Sequence, residues 1–451
     1  MAKKPKRSAS AAEELPPVEF KPNVPDRQQQ QGLLLAVRQI EQYPIAVTLV
    51  AQAVRNRADQ ILMDFAQQGV AVRYRVDGLW EGMPPMDRPT GDAVLTILKR
   101  LCNLNPADRR SRQTGKLPIA FNGDWILDFL SQGTPTGERV LVRIDPKKPV
   151  LKTLSDLGMR DKMQERLKAL LNADQGLAIL SGPPGHGLPT MWRIALEAAD
   201  KFIRDFHSFE DKHTAEPEMV NIGQHLFDSQ AGETPMSVMP SVLLKQPEVL
   251  VLPDFVNEQT VTTVYDFVRD PAPEGSRHLI TKVVAPTAVD ALIKLATTFP
   301  KQAPKLMEIA MGVTNQRLLR RLCEKCRQSF QPTPQLLQKL NIPAGRVSVL
   351  YQPFIPPPPD QRVDAKGNPI EIEICTQCNG RGYYGRIGVF ELLTVTDEIR
   401  QAVLQQPVAA QVAQIAKQQG HLGLQEEAIL TVALGLTSLQ ELQRVFSPPK
   451  K

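Results

Sequence analysis

The chain has 451 residues, 42% of them AVILMFWYC and 23% charged, which is enough for two or three domains with real cores. No run approaches eighteen apolar residues, so no membrane span is expected, and five cysteines in so long a chain exclude a disulfide scaffold. The formal net charge of +6, from 54 basic and 48 acidic residues, permits contact with anionic lipid or nucleic acid without demanding it.

Residues 1–30 are expected to form a disordered tail. Lys3, Lys4, Lys6 and Arg7 are followed by Glu13, Glu14 and Glu19 and by several prolines. A solvated tail is the plainer reading, and a tail that grips nucleic acid or a membrane is its alternative. The start, MAKKPKRSAS, has no apolar stretch behind it, so no signal peptide is expected. Residues 32–60 are predicted helical with an interruption at Pro44. VAVRYRVDGL at 70–79 alternates apolar and polar residues, which predicts a half-buried strand turned by Asp77 and Gly78. A helix is predicted over 92–104, with Cys102 as a core residue. Arg109, Arg110 and Arg112 then precede short strands at 125–129 and 139–144. These elements make an α+β domain over 31–149.

A helix over 159–171 opens the next domain, followed by a strand at 177–180 and a helix over 190–206. Strands are predicted at 219–222, 250–252 and 278–284, and a helix over 287–297. Val249 to Leu252 is a continuous apolar run, as in a central strand buried on both faces. This alternation predicts an α/β domain with a mostly parallel sheet over 150–315. Residues 316–322 read as the end of a helix running into Cys323. A proline-rich loop containing Pro356 to Pro359 follows, then a glycine-rich stretch at 375–386. Helices are predicted over 391–419 and 428–446. The cysteine-bearing subdomain spans 316–390 and a helical C-terminal region 391–451. No internal repeat is visible.

LAILSGPPGHGLPT at 177–190 has the layout of a phosphate-binding loop: an apolar strand, a glycine-rich turn and a helix start. Gly182 and Gly187 hold the two glycine places of G-x-x-x-x-G-K-[ST], and Gly185 adds a third. The lysine place is Leu188 and the hydroxyl place is Pro189. Leu188 cannot neutralise phosphate charge, and Pro189 removes both the metal-ligating hydroxyl and a backbone N–H. Proline in a first helical turn is structurally harmless, because that N–H has no intrahelical partner. Each charged hydrogen bond is worth roughly 1.5–3 kcal/mol, so losing several costs orders of magnitude in affinity. His186 could supply a partial cation. For an isolated glycine pattern, a plain strand-to-helix turn would be the simpler explanation.

Other groups carry chemistry. Asp254 follows the buried run 249–252 at the end where α/β sites lie, and Glu210 sits with Asp211 in HSFEDK. Either carboxylate could hold magnesium or polarise water, although acids after strands are common on any surface. Cys323-x-x-Cys326 and Cys375-x-x-Cys378 are two thiolate knuckles that suit a closed tetrahedral zinc site, structural rather than catalytic. Redox thiols or an iron–sulfur cluster are the alternatives. The 48 residues between the pairs suit a clamp closing an inserted subdomain. Arg73, Arg75, Arg109, Arg110, Arg112 and Arg143 crowd the first domain. A solvated strand face accounts for most of them.

With these motifs in order, the sequence resembles the secretion-type ATPases of type II secretion and type IV pilus assembly, the GspE/PilB-like group, over residues 55–446. The resemblance rests on VRYRVDG at 72–78, ADRRSRQTGKL at 107–117, TPTGERVLVRI at 134–144, the loop at 179–190, FED at 209–211, PEVLVLPDF at 247–255, QRLLRRLCEKC at 316–326 and CTQCNGRGYYGRIGVFELL at 375–393. It implies a RecA-like P-loop motor domain preceded by an α+β N-terminal domain, with a tetracysteine zinc subdomain and C-terminal helices. It implies a cytoplasmic hexamer docked to an inner-membrane platform protein. It also implies that Arg109 and Arg143, with Gly182, Gly185, His186, Gly187 and Thr190, belong to the nucleotide site, and that Asp254 replaces a catalytic glutamate beside Glu210. Against the family pattern, lysine and hydroxyl are replaced at Leu188 and Pro189, an arginine falls on Leu130 and a histidine on Val284. Four losses together point to a degenerate motor: a scaffold or regulator, alone or co-assembled with an active relative, whose pocket holds ATP and magnesium weakly or not at all. A slow ATPase using Asp254, Glu210 and His186 is the runner-up, and a nucleic-acid-binding module the lesser alternative.

Overall fold

The computed structural model describes residues 18–270, 276–343, 345–358, 361–362 and 370–447. Lys3, Lys4, Lys6, Arg7, Glu13, Glu14 and Pro359 lie outside them. The chain forms two units, Met1–Val150 and Leu151–Lys451.

The first unit contains β1 (Glu19–Phe20), α1 (Arg27–Arg38), α2 (Tyr43–Arg55), β2 (Ala58–Ala66), β3 (Gly69–Val76), β4 (Leu79–Gly82), α3 (Arg88–Leu101), β5 (Gln113–Ala120), β6 (Asp124–Thr134) and β7 (Gly137–Pro146). Its sheet has the order β1-β5-β6-β7-β2-β3-β4 and every pairing is antiparallel. One face is apolar. In β3, Val70, Val72, Tyr74 and Val76 are buried and pack with Leu49 and Val50 of α2 and Leu95 and Leu98 of α3. Ala71, Arg73 and Arg75 point the other way, as the alternation predicts. Asp77 and Gly78 both have positive φ, 49° and 86°, the geometry of a two-residue hairpin turn closing β3 on β4. Gly91 lets α3 touch the sheet, since a Cβ there would lie 2.3 Å from Val70 Cγ2.

Several sequence expectations shift here. Pro44 starts α2 rather than interrupting a helix, because its missing N–H falls in the first turn. Residues 58–60 are strand. The tail expected over 1–30 is ordered in its second part, where β1 pairs with β5 and Asp26 caps α1 through Gln28 N–H at 3.0 Å. Cys102 is the C-cap of α3, half-buried, and burial pushes its thiol up to about 12.

The second unit contains α4 (Asp161–Leu171), β8 (Gln175–Gly182), α5 (Leu188–Glu197), β9 (Phe206–Asp211), β10 (Ile222–Phe227), α6 (Met239–Leu243), β11 (Val249–Leu252), α7 (Glu258–Arg269), β12 (Arg277–Val284), α8 (Ala288–Thr298), α9 (Ala303–Ile309) and β13 (Ala310–Leu322). β14 (Gln328–Phe330), α10 (Pro334–Lys339), β15 (Leu350–Gln352), β16 (Tyr383–Thr394), α11 (Asp397–Gln405), α12 (Ala409–Gln418), α13 (Leu424–Ala433) and α14 (Leu439–Phe446) complete it. The main sheet has the order β10-β9-β11-β12-β8-β13-β16, parallel except for β16. Both faces are covered. Leu177 and Ile179 of β8 join the core beneath α7, α8 and α9, while Ala178 and Leu180 join the core beneath α4 and α5. All four residues of β11 are buried, as its apolar run predicts. The mixed α/β class expected from sequence is the one observed. No single helix among the described residues is long and apolar enough to cross a membrane.

Three helix expectations fail in this unit. Residues 316–322 are strand, the second half of β13, and residues 391–394 end β16 before α11 begins. The helix after the glycine loop stops at Glu197 instead of continuing to 206, where β9 begins. Met219 precedes β10, which starts at Ile222.

A buried ion pair ties the first unit together. Lys99 Nζ lies 2.6 Å from Glu138 Oε1 with both side chains essentially unexposed, and it donates to Asp108 O at 2.7 Å. Glu138→Gln leaves the ammonium without its charge partner, so the urea midpoint should fall by the equivalent of about 3–5 kcal/mol, whereas Lys99→Met/Glu138→Leu should recover much of that loss. Equal destabilisation by the single and double variants would contradict this.

Candidate functional site

β8, β11 and β12 all end at one edge of the parallel sheet, the edge where α/β proteins bind ligands. A cavity of about 770 Å³ opens there. It brings together Gly182, Gly185, Leu188, Pro189 and Asp254 of the predicted site. Gly185 (φ 78°) and Gly187 (φ 81°) take the left-handed conformation, and Gly187 is the N-cap of α5. The first N–H bonded inside α5 is that of Met191, to Gly187 O at 3.0 Å. The loop therefore has a nucleotide loop's shape. Its lysine place differs in direction as well as in kind: Leu188 is 6% exposed and packs into the core beneath α5 with Leu180 and Trp192.

The rest of the loop is fastened to β13. His186 Nδ1 accepts from Leu318 N–H at 3.0 Å, and Gln316 Nε2 donates to His186 O at 2.7 Å. A ring nitrogen that accepts from a backbone N–H must be unprotonated. Burial lowers the His186 pKa, and the charges of Arg317, Arg444 and Arg386 lower it further. His186 is thus an anchor of the loop in this arrangement. Gly187 also lies against β13, where an added Cβ would meet Gln316 Nε2 at 3.2 Å. Thr190 is half-buried in the first turn of α5.

The two carboxylates differ. Asp254 is exposed and its Oδ1 accepts from Val256 N–H at 3.2 Å. That turn holds Val256 at φ 63°, a conformation a β-branched residue rarely adopts. Glu210, at 8% exposure on β9, accepts from Glu216 N–H at 2.8 Å. Glu216 in turn pairs with Lys282 at 2.9 Å, and Lys282 lines the cavity. Arg109 and Arg143 belong to the first unit. There Arg109 pairs with Asp92 at 2.6 Å, and Arg143 lies exposed on β7 opposite Gln60 and Asp128. Lys282, Lys294 and Gln316 were not singled out from the sequence. A lysine inside the largely apolar LITKVV at 279–284 is the one signal the sequence carries.

The cysteines meet because β13 and β16 are antiparallel. Leu322 pairs with Tyr383, so the chain leaving β13 at Cys323 lies beside the chain entering β16 after Cys378. Cys323 Sγ is 3.8 Å from Cys375 Sγ, Cys326 Sγ is 3.6 Å from Cys378 Sγ, and all four ligand atoms lie within 4.8 Å of one another. A tetrahedron with metal–sulfur bonds of ~2.3 Å has sulfur–sulfur edges of ~3.8 Å, so the four thiols can hold a metal ion in a closed site. Gly382 N–H donates to Cys378 Sγ at 3.3 Å, and Cys323 N–H to Gly382 O at 3.0 Å, orienting the knuckles. Beside this end, buried Glu441 of α14 accepts from Arg320 N–H at 2.9 Å and from Arg444 Nε at 2.8 Å.

An α/β unit with a glycine loop at a strand end and four clustered cysteines defines a P-loop-type protein with a cluster of thiols able to hold a metal ion. A family model described as type II/IV secretion system protein matches residues 39–444, and the chain belongs to that family. It is 25% identical over 398 residues to a type IV pilus assembly ATPase PilB of Thermus thermophilus, covering 87% of this chain and 42% of that one. It is 25% identical over 401 residues to type II secretion system protein E of Pectobacterium carotovorum subsp. carotovorum, covering 88% and 74%. Thus it spans less than half the length of the first relative and about three quarters of the second. The fold is that of the Legionella pneumophila ATPase DotB, with TM-score 0.56 and 10% identity over 88% of this chain and 94% of that one. It is also that of the pilus retraction motor PilT with bound ADP, at TM-score 0.51 and 14% identity over 89% and 96%. The resemblance read from the motifs is the family found.

His186 offers a test of the anchored loop. Its folded pKa lies below its unfolded value, so its contribution to stability is present above the unfolded pKa and is lost as pH falls through the folded one. His186→Asn should flatten part of the decline in urea midpoint as pH falls below the free imidazole's usual value, compared with the wild type. An identical pH profile in the two proteins would show that the ring is not held neutral.

Proposed function

We propose that this protein is a catalytically degenerate member of the secretion and pilus motor family, acting as a scaffold or regulator of a type II secretion or type IV pilus-like machine. The observation that carries the reading is Leu188: its side chain lies in the core where the loop's phosphate-binding lysine is expected, and Pro189 follows it. Phosphate transfer at such loops depends on a cation at the β and γ phosphates and a hydroxyl on magnesium, and this loop offers neither. Asp254 and Glu210 are then vestiges of the catalytic pair, and the first unit's Arg109 and Arg143 vestiges of the phosphate-reading arginines.

In this reading the domain order stays that of the family: an N-terminal α+β domain over 31–149, a degenerate motor domain over 150–315, a zinc subdomain over 316–390 and C-terminal helices. The curated relatives named for pilus assembly and secretion support a place in such a machine. The subunit assembles with itself or with an active relative, at the cytoplasmic face of an inner-membrane platform. Nucleic acid is not its partner.

The wild type should release phosphate from Mg-ATP no faster than buffer, and Leu188→Lys/Pro189→Ser should gain measurable release if the remaining scaffold is sound. Turnover by the wild type that is abolished by Asp254→Asn would establish the slow-ATPase reading instead.

The metal proposed for the cysteines is zinc, which has no redox chemistry of its own and closes the subdomain. One zinc per chain is expected by metal analysis, and Cys375→Ser should lose it and lower the melting temperature. Metal-free protein with unchanged stability would contradict a structural zinc.

A further inference from the structure

The cavity at the loop retains positive charge, supplied by the neighbouring strand. β12 lies beside β8 in register, Lys282 opposite Leu180 and Val284 opposite Gly182. This sets Lys282 level with the strand that leads into the loop, and its side chain lines the same cavity as Gly182, Gly185 and Leu188. Lys282 Nζ stands 5.2 Å over the Trp192 ring of α5, the helix that starts at the loop, and 2.9 Å from Glu216 Oε1. A second ammonium, that of Lys294 on α8, lines the cavity and donates to Val284 O at 3.0 Å. Asp254 is the acidic lining residue among these, and its Oδ1 is engaged with Val256 N–H. The remaining wall includes Phe255, Val256, Leu295 and Phe299. Two cations beside an apolar wall suit a ligand with a compact anion on an apolar or aromatic body.

We propose that this cavity binds a phosphate-bearing ligand without a metal ion, with Lys282 supplying the cation that the loop lacks. The inference rests on the reading of the loop as unable to hydrolyse ATP, and it deepens that reading by giving the site a ligand to sense. Lys282 does from β12 what the missing lysine would do from α5, because an ammonium needs only to reach the phosphate oxygens, whichever strand carries it. Magnesium has no role, since Pro189 offers it no hydroxyl. Glu216 is the competitor: it occupies Lys282 when no anion is bound, and its own N–H is held by Glu210. Ligand binding exchanges the Lys282–Glu216 pair for a Lys282–phosphate pair. Side chains in the Lys282–Glu216 pair are 22% and 26% exposed, so this exchange needs no opening of the core.

The opposing roles give opposing predictions. Calorimetric titration of the full-length, metal-loaded protein uses ADP, pyrophosphate and inorganic phosphate as probes, each with and without magnesium. ADP should bind in the absence of magnesium, and more tightly than inorganic phosphate because of the apolar wall. Lys282→Met should weaken ADP about tenfold to a hundredfold, the value of one charged hydrogen bond. Glu216→Gln, which frees Lys282 while keeping the side chain's shape, should tighten ADP several-fold. Three results overturn the proposal: no binding of any probe into the millimolar range, binding that requires magnesium, or binding that neither variant changes. None of these produces phosphate release, so they leave the scaffold reading to be judged by its own assay.

Discussion

The antiparallel ladder between β13 and β16 is the constraint on which both sites of the second unit depend. β13 lies beside β8 at one end of its course, and there Gln316 and Leu318 hold His186 and fix the glycine loop. At its other end the pairing of Leu322 with Tyr383 brings two cysteine knuckles, 48 residues apart, within reach of one metal ion. Between these ends Arg320 reaches Glu441, which docks the last helix on the same strand. A rigid strand thus joins the loop to the clamp. A metal ion bound by the four thiolates would close the long connection and remove chain entropy that a small subdomain cannot offset with its own core. The apolar cluster behind the clamp is small, built around Leu319, Leu350, Val389 and Leu424.

The loop separates shape from chemistry. Its glycines keep the left-handed turns, and its proline fits a first helical turn because no intrahelical hydrogen bond is lost there. Folding therefore does not resist the two substitutions. Leu188 adds apolar burial where a lysine would have had to reach outward. The same exchange that suits the core removes the charge and the metal ligand. The chemistry of such a loop can be lost in this way without any cost to the fold.

Much of this was legible in the sequence, because it is carried by short-range pattern. The apolar run at 249–252, the glycine spacing at 182–187 and the paired cysteines each declare their structure within a few residues. The second half of β13 misled for a physical reason. Leu318, Leu319 and Leu322 recur at helical spacing, and a register shift between Arg320 and Leu322 breaks the strand's alternation. The ladder with β16 decides the matter, and its partner lies some seventy residues on. A lysine in a largely apolar run is a faint signal for Lys282, because its meaning as a site residue comes from the register of β12 against β8 and from Glu216. The role of His186 as a neutral anchor likewise depends on Leu318, far along the chain.

The most direct test of the account is a calorimetric titration of metal-loaded protein with ATP, carried out with and without magnesium. A loop that has lost its hydroxyl and its lysine gains nothing from the ion, so the two isotherms should coincide and no phosphate should appear in the cell. Micromolar affinity that depends on magnesium, with turnover that Asp254→Asn removes, would contradict the account and show a working motor site.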